Sequence, residues 1–429
     1  MYFIYCRGRS EVKKMKKELL LMALGLSLQS FLPKIEGVAK EEKEEEMIQV
    51  IVECSMADEE EEKIKELGVV KYTLPMIDAY VVELPKKHMK FLRHLHGVKQ
   101  ITRDNHVTAQ MDIARKAVGA EQVQGKGYRG SGIGVAVLDS GIFPHDDLHY
   151  HRNRIVAFKD FVNGHQQPYD DHYHGTHVAG IIGGDGYRSN GKYRGIAPAC
   201  NLIGIKILDE KGKGNTSDVL AGIQWMIDHR QQYNIRVANL SIGTDPEEGE
   251  ESPLIKAVNA AWDAGIVVVV AAGNNGPKSQ SVTIPGIGRK VITVGASDDQ
   301  NTVQIHGDTI TDYSGRGPTK ACIKKPDVVA PGSNITSCDS NKEYIPSSTV
   351  NYFTFNGNTG YRKSSGTSMS TPMISGAIAL LLERDPKLTP NEVKARLKNA
   401  TMDLNYPQSQ QGWGLIQVEK LVLGGEGNV

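Results

Sequence analysis

Four polar residues stand in short stretches of small residues, where a side chain could do chemistry. Asp139 lies in VLDSGI, His174 in HGTHVAG, Asn274 in AAGNNG and Ser368 in SGTSMSTP. A serine hydroxyl is a poor nucleophile at neutral pH and needs a nearby base, which a histidine can supply. An aspartate bonded to the other imidazole nitrogen would fix the tautomer, and an amide could stabilise an oxyanion. Taken singly, each residue could be structural, such as a turn aspartate or a helix cap. Together they could catalyse acyl transfer.

The elements that must position these residues are short apolar strands. IGVAVLD, LIGIKILD, VANLSIG, IVVVVAAGN and VITVGAS are rich in β-branched residues and apolar on consecutive positions, which is typical of strands buried on both faces of a parallel sheet. Helical patterns at 217–232 and 252–264 lie between them. The alternation predicts a doubly wound, mostly parallel α/β sheet, in which ligands collect at the carboxyl ends of the strands.

The motifs, in the chain order Asp, His, Asn, Ser, resemble those of the subtilisin-like serine proteases, the subtilases of peptidase family S8. The resemblance covers about Gly125 to Val422 and includes YRGIAP at 193–198, NLSIG at 239–243 and GWGLI at 412–416. YRG at 193–195 and SGRGP at 314–318 are most similar to bacterial alkaline subtilases of the intracellular type. The resemblance implies a subtilisin-like fold and a serine endopeptidase.

The resemblance also implies a role for each site residue. Ser368 would be the nucleophile, His174 its base and Asp139 the residue that orients the base. Asn274 and the backbone N–H of Ser368 would form the oxyanion hole. An extended peptide would be held between two segments, Gly212, Lys213 and Gly214, and Leu240, Ser241, Ile242 and Gly243. Ala271, Ala272 and Gly273 would line a roomy pocket for large apolar P1 residues.

Residues 47–111 have the pattern of a small α+β module, with strands at IQVIVE, VVKYTL, AYVVELP and VKQITRD and helices between them. The module resembles the family's inhibitory propeptide, and the tail Asn105–Met111 resembles the segment cut during self-processing; a permanent accessory domain is the alternative. The polar stretch from Val107 to Gly130 is interpreted as a linker. The predicted organisation is a leader at 1–46, the propeptide-like domain at 47–111 and the catalytic domain at 112–429.

The leader contains a short apolar run from Leu19 to Leu28, preceded by lysines and followed by small residues at 37–39, which favours a signal peptide and a secreted protein. An amphipathic helix on a cytoplasmic protein is the alternative. No apolar run reaches the roughly 18 residues of a membrane span.

The expected partners are peptide and protein substrates and the chain's own propeptide, and the chain is expected to be a monomer. Its 429 residues carry 50 basic and 50 acidic side chains, so the balance of charge gives no support to nucleic acid binding. Catalysis is expected to need no cofactor. Asp147 matches a calcium ligand of the family, but GDGYR at 184–188 replaces the loop that normally supplies most of its partners. A structural calcium ion therefore stays an open expectation.

Functions of other classes fit less well. The glycine motif at 125–130 precedes a strand, whereas a dinucleotide site needs it to follow one, and Gly191-Lys192 is followed by Tyr193 rather than a hydroxyl placed for magnesium. A pseudoprotease would not require the complete set of four motif residues. The five scattered cysteines indicate no disulfide framework, although Cys322 and Cys338 could pair in an oxidising compartment.

Overall fold

The computed structural model describes residues 46–55, 58–74, 78–103, 111–244, 249, 251–346 and 360–424. These residues form two compact units, which separate between residues 103 and 111. The leader at 1–45 and the tail at 104–110 lie outside the described residues. Each unit is described by itself.

The small unit is an antiparallel sheet with two helices. Its elements are β1 (Met47–Cys54), α1 (Asp58–Leu67), β2 (Val69–Leu74), β3 (Ala79–Pro85), α2 (Met89–Leu92) and β4 (Val98–Arg103). The strand order is β2-β3-β1-β4, and each neighbouring pair is antiparallel. The unit has its own apolar core, which includes Val50, Ile64, Val82 and Leu84. The order of these elements matches the pattern predicted for this part of the chain.

The large unit contains the remaining elements. Its strands are β5 (Gly134–Asp139), β6 (Ile155–Asp160), β7 (Asn201–Lys206), β8 (Ile235–Leu240), β9 (Val267–Ala271), β10 (Ile292–Asp298), β11 (Thr309–Ile310), β12 (Val328–Pro331), β13 (Ile335–Cys338), β14 (Tyr361–Ser364), β15 (Thr401–Met402) and β16 (Leu415–Ile416). Its helices are α3 (Met111–Ala117), α4 (Ala120–Gly125), α5 (Asp146–His149), α6 (His174–Gly183), α7 (Thr216–His229), α8 (Pro253–Asp263), α9 (Thr367–Arg384), α10 (Pro390–Asn399), α11 (Gln408–Gln411) and α12 (Val418–Leu423).

A mostly parallel sheet forms the centre of the large unit. Its strand order is β15-β16-β12-β10-β9-β8-β5-β7-β6, and β11 adds to β10. The pairs from β12 through β10, β9, β8, β5 and β7 to β6 are parallel, whereas β11 and β15 pair antiparallel. Every residue of β9 is buried, as expected for a strand covered on both faces. The predicted doubly wound, mostly parallel α/β fold is confirmed.

The strand order reverses around β5, which lies between β7 and β8 although β6 follows it in the chain. In doubly wound sheets such a switch point leaves a crevice at the carboxyl ends of the strands, because the connections leave in opposite directions. Asp139 is the last residue of β5, and Ser241 follows the last residue of β8. The fold therefore places these residues at the mouth of the predicted crevice.

Helix α9 packs against this part of the sheet. It contacts β8, β9, β10 and α6, and nearly all of its residues up to Leu382 are buried. None of the helices in the described ranges has both the length and the hydropathy that crossing a bilayer requires.

The prediction of a linker from Val107 to Gly130 is wrong where the structure describes it, since α3 and α4 occupy most of that stretch. Val118 and Val123 are fully buried and belong to the core of the large unit. The stretch looks polar because two of its buried residues are polar: Arg115 donates to Gln124, whose amide donates to the carbonyl of Gly195. Buried polar residues that bond to each other cannot be told from solvated ones by composition.

Candidate active site

Asp139 and His174 form a charge-assisted hydrogen bond at the end of β5. Nδ1 of His174 lies 2.8 Å from Oδ1 of Asp139, and because a carboxylate can only accept, Nδ1 carries the proton. The same oxygen accepts the N–H of Ser140. Burial lowers the pKa of His174, but the Asp139 carboxylate more than offsets this, so the pKa lies above its ordinary value. This geometry fixes the tautomer that leaves Nε2 able to accept a proton.

Helix α6 can come this close to β5 because of two glycines. A Cβ atom on Gly175 would lie 2.0 Å from the carbonyl oxygen of Gly141. Gly141 itself has a φ of 122°, in the left-handed region. Neither position tolerates a side chain without a backbone shift, so the glycines of VLDSGI and HGTHVAG set the distance between the strand and the helix.

Asp170, which sequence analysis did not single out, fixes the turn that leads into α6. Its buried carboxylate accepts the hydroxyl of Ser140 at 2.8 Å and the N–H and hydroxyl of Thr176 at 2.8 and 2.6 Å. The Ser140 hydroxyl oxygen in turn accepts the N–H of Gly175. Asp170 thus joins the residue after Asp139 to the first turn of the helix that begins with His174. Its type and its place shortly before the histidine motif are the only signals in the sequence.

Tyr173 directly precedes His174 and has a φ of 107°, although it carries a bulky side chain. Such a backbone costs energy for any residue with a Cβ atom and persists only where its surroundings hold it. The Tyr173 ring faces two cations: Arg362 lies 4.4 Å and Lys342 4.9 Å from the ring centre.

Ser368 is the second residue of α9, so its N–H has no acceptor within the helix. Its hydroxyl donates to the carbonyl of Ser241 at 3.2 Å, and its carbonyl accepts the hydroxyl of Ser241 at 3.1 Å. Pro372 stands where the helix would otherwise supply an N–H to that carbonyl, and proline has none. Ser241 therefore replaces a missing helical hydrogen bond and ties the loop after β8 to the first turn of α9.

Two further buried residues support Ser241 and were not predicted. Asn239 donates from Nδ2 to the Ser241 hydroxyl at 3.0 Å, and Ser375 donates to Oδ1 of Asn239 at 2.8 Å. Together these bonds connect β8 and the loop after it to α9. Such a network in the interior stabilises one arrangement because each polar group has a partner.

Asn274 follows β9, and its orientation is set by Thr367. Oδ1 of Asn274 accepts both the N–H and the hydroxyl of Thr367, each at 3.0 Å. The amide oxygen is thereby engaged, and Nδ2 remains as a donor at the edge of the cleft that also holds Ser368. Gly273 is needed beside it: its φ is 90°, and a Cβ atom there would lie 2.6 Å from the methyl group of Thr283.

One cleft of about 700 Å³ brings the predicted residues together. His174, Asn274 and Ser368 line it, whereas Asp139 is fully buried behind His174. Of the predicted substrate-binding residues, those that line the cleft are Gly212, Lys213, Gly214, Ser241, Ile242, Gly243, Ala271 and Gly273. Leu240 and Ala272 do not, because both are fully buried in the interior.

Apolar side chains that sequence analysis missed also line the cleft, namely Leu208, Val219 and Leu254. Val219 lies on α7 and Leu254 on α8. They lie outside the predicted substrate-binding segments, so only the folded arrangement of the chain reveals them.

The surroundings of Asp147 do not fit a calcium ion. Its carboxylate is fully buried and accepts the N–H of Arg188 at 3.0 Å and the hydroxyl of Tyr361 at 2.8 Å. The other potential ligands around it are the imidazole of His145 and the thiol of Cys338. Calcium takes six to eight oxygen ligands, and a thiol and an imidazole are not among those it prefers. Hydrogen bonds instead satisfy the Asp147 carboxylate.

Among the described residues Cys54, Cys200, Cys322 and Cys338 are all free thiols. A disulfide between Cys322 and Cys338 is not formed: Cys338 is buried in β13, whereas Cys322 is exposed.

Comparison with known proteins bears on the whole of this unit. The family described as peptidase S8, subtilase family, matches residues 130–414. The serine protease AprX of Bacillus subtilis (strain 168) is 43% identical over 331 residues, which cover 74% of this chain and 72% of that protein. A thermostable alkaline protease of Halalkalibacterium halodurans is 32% identical over 383 residues, or 89% of this chain and 92% of that protein.

Solved structures give the same result. The S41 psychrophilic protease is similar with a TM-score of 0.57 and 30% sequence identity, over 67% of this chain and 92% of that one. A cold-adapted subtilisin-like serine proteinase has a TM-score of 0.51 and 27% identity, over 73% of this chain and 91% of that one.

Proposed function

This chain belongs to the subtilase family of serine proteases, and on that premise we propose that it is an endopeptidase with Ser368 as its nucleophile. The observation that carries the proposal is the 2.8 Å bond between His174 and Asp139, made beside the cleft that Ser368 and Asn274 line. If these four residues had only structural roles, they would not need to lie together beside one cleft.

The proposed reaction starts with a proton transfer. The Ser368 hydroxyl turns from the Ser241 carbonyl towards Nε2 of His174, loses its proton to that nitrogen and attacks the peptide carbonyl carbon. His174 then returns the proton to the leaving amine, and water hydrolyses the acyl-enzyme by the same steps. Asp139 stabilises the imidazolium that forms in between. The nucleophile, the base and the residue that orients the base are all side chains of the protein.

The oxyanion of each tetrahedral intermediate would be held by two donors. One is Nδ2 of Asn274, whose amide Thr367 orients. The other is the N–H of Ser368 at the positive end of α9, which the helix leaves without an acceptor. Both donors are in place before the reaction, so the charge develops without reorganisation of the site.

Substrate would bind as an extended strand between Gly212–Gly214 and Ser241–Gly243. Main-chain hydrogen bonds of this kind tolerate most sequences. Ala271 and Gly273 leave the primary pocket roomy, and Val219 and Leu254 add apolar side chains to the lining of the cleft. We therefore expect a preference for large apolar P1 residues, which is weak because one methylene discriminates by only about 1–3 kcal/mol.

Labelling with a fluorophosphonate tests the assignment, because the reagent reacts with an activated serine. The wild-type protein should label and hydrolyse peptides, and Ser368→Ala should lose both, with kcat falling by about 10⁶. Ser370→Ala is the matched control, since this buried serine of the same motif has no hydrogen-bond partner among the described residues. A wild-type protein that folds and binds peptides without labelling would instead be a pseudoprotease.

The proposal extends to a self-processing zymogen, in which residues 47–111 inhibit the enzyme and are cut off close to Met111. The support is a small unit with its own core, ahead of the catalytic unit. Purified wild-type protein should shorten, Ser368→Ala should stay full-length, and the 47–111 fragment should inhibit the processed enzyme. Processing of the purified Ser368→Ala protein would show that another protease makes the cut.

Export through a signal peptide is proposed from the residues between Lys13 and Ala39, which lie outside the described part of the chain. N-terminal sequencing of the protein from the culture medium and from the cells of its host would settle both the export and the mature N-terminus.

A further inference from the structure

Two buried carboxylates meet where β11 pairs with β10, away from the catalytic residues. The antiparallel register pairs Ser297 with Ile310 and Asp298 with Thr309. Continued by one residue, this register sets Asp299 opposite Asp308. Residues directly opposite each other in an antiparallel pair have Cβ atoms about 4.5–5.5 Å apart, and like charges at such positions are unfavourable.

The two side chains are almost without partners. Asp299 is 1% exposed and Asp308 is 6% exposed. Oδ2 of Asp299 and both carboxylate oxygens of Asp308 have no hydrogen-bond partner among the described residues, whereas Oδ1 of Asp299 accepts the N–H of Asn301. Three buried carboxylate oxygens without partners are costly, since each has given up its hydration.

Repulsion between neighbouring carboxylates makes it still less favourable for Asp299 and Asp308 to be ionised. Burial and then the charge of Asp299 raise the pKa of Asp308 to about 7, and burial raises that of Asp299 to about 6. Asp298 is a third nearby carboxylate and acts in the same direction. Neither Asp299 nor Asp308 belongs to any ion pair formed by the described residues.

We propose that Asp299 and Asp308 bind a divalent cation of the class that prefers oxygen ligands, with calcium as its representative. Two carboxylates supply two negative charges and the hard oxygen atoms that calcium prefers over nitrogen and sulfur. A dication between them neutralises both charges and provides a partner for the three oxygens that lack one. This site is separate from Asp147, whose carboxylate is already satisfied by hydrogen bonds.

The site would stabilise the segment that supports the substrate pocket. After β11, the N–H of Thr311 bonds to the carbonyl of Ala296, and the N–H of Gly315 donates to the carbonyl of Gly273 at 2.8 Å. The N–H of Gly276 donates to the backbone carbonyl of Tyr313 at 2.9 Å. Gly273 and Gly276 flank the loop that carries Asn274. A cation that holds the two strands together would therefore keep this loop in place.

The experiment uses full-length protein with Ser368→Ala, which prevents self-digestion, after dialysis against a chelator. Calcium chloride is titrated at pH 8, with binding followed by calorimetry and the unfolding midpoint by circular dichroism. We expect a saturable rise of the midpoint and one equivalent of calcium that is lost, or bound at least tenfold more weakly, in Asp299→Asn and Asp308→Asn. Asp312→Asn, in the same segment but exposed, is the matched control and should bind like the parent.

The asparagine variants should also unfold at a higher temperature than the parent in chelator, because they remove the repulsion between the carboxylates. In a cation site, the asparagine substitutions raise the unfolding midpoint in chelator but lower it relative to the parent in calcium. A merely structural pair of carboxylates would not show this reversal. Equal calcium binding by the parent and both variants would overturn the proposal. So would a parent protein that does not respond to calcium, which would mean that the two carboxyl groups share a proton.

Discussion

At the scale of single residues, the oxyanion hole depends on an amide that is oriented from one side only. The oxygen of Asn274 is occupied by two donors of Thr367, which leaves the nitrogen for the substrate. The motif AAGNNG predicts an amide at this position, but it does not predict Thr367. That residue lies in the serine motif almost a hundred positions later, so its contact depends on how β9 and α9 meet.

Replacing Asn274 by Ala should lower kcat by about 10²–10³ with little change in KM, because the lost donor acts on the transition state. Asn274→Asp is the informative companion, since aspartate can still accept the bonds from Thr367 but offers a negative charge to the oxyanion. We expect it to be at least as inactive as Asn274→Ala in steady-state peptide hydrolysis. A normal kcat for Asn274→Asp would mean that Asn274 acts only by holding Thr367.

At the scale of elements, the position of the nucleophile depends on how α9 meets the loop after β8. Pro372 removes one helical hydrogen bond, and Ser241 supplies another in its place. The apolar runs in the sequence predict β8 and α9, because burial on consecutive positions leaves a clear pattern. The bond between them could not be predicted, since serine and proline are common near helix starts for other reasons.

Ser241→Ala should destabilise the protein by about 1 kcal/mol and lower kcat up to tenfold, because the carbonyl of Ser368 loses its partner. Adding Pro372→Ala to this variant restores an N–H at that position, which can bond to the same carbonyl within the helix. The double variant should therefore regain part of the lost stability in urea denaturation. Additive losses in the double variant would contradict this role for Ser241.

At the scale of the whole molecule, the predicted sheet and the meeting of the four motifs at one edge agree with the structure. What the sequence did not reveal are interior polar groups that bond to each other, such as Arg115 and Gln124 in the stretch taken for a linker. His177 is a second case. Its Nε2 atom donates to the carbonyls of Ile335 and Arg362, so β13 and β14 are both attached to α6.

His177 should make the folded protein sensitive to mild acid. Burial lowers its pKa to about 4, and its buried Nδ1 atom has no acceptor for a second proton in the described structure. The unfolded chain takes up this proton near pH 6.5, so it binds more protons than the folded state between pH 6.5 and 4. Stability should therefore fall by up to about 3 kcal/mol over that range.

Urea denaturation of the Ser368→Ala protein between pH 7.5 and 4.5 measures this effect. In His177→Gln, where the side chain can still donate but does not titrate, the slope of stability against pH should be shallower. Parallel slopes for the two proteins would assign the acid sensitivity to other groups.

Because Tyr173 has a left-handed backbone, selection for stability and selection for catalytic activity should favour different residues at this position. Glycine at this position would relieve about 1–2 kcal/mol of backbone strain, but it would remove the ring that faces Lys342 and Arg362 and loosen the approach to His174. A library screened for heat resistance alone should therefore collect glycine at position 173, and one screened for turnover should keep the aromatic ring. Adaptation to a warmer or a colder habitat should therefore change the amino acid at position 173.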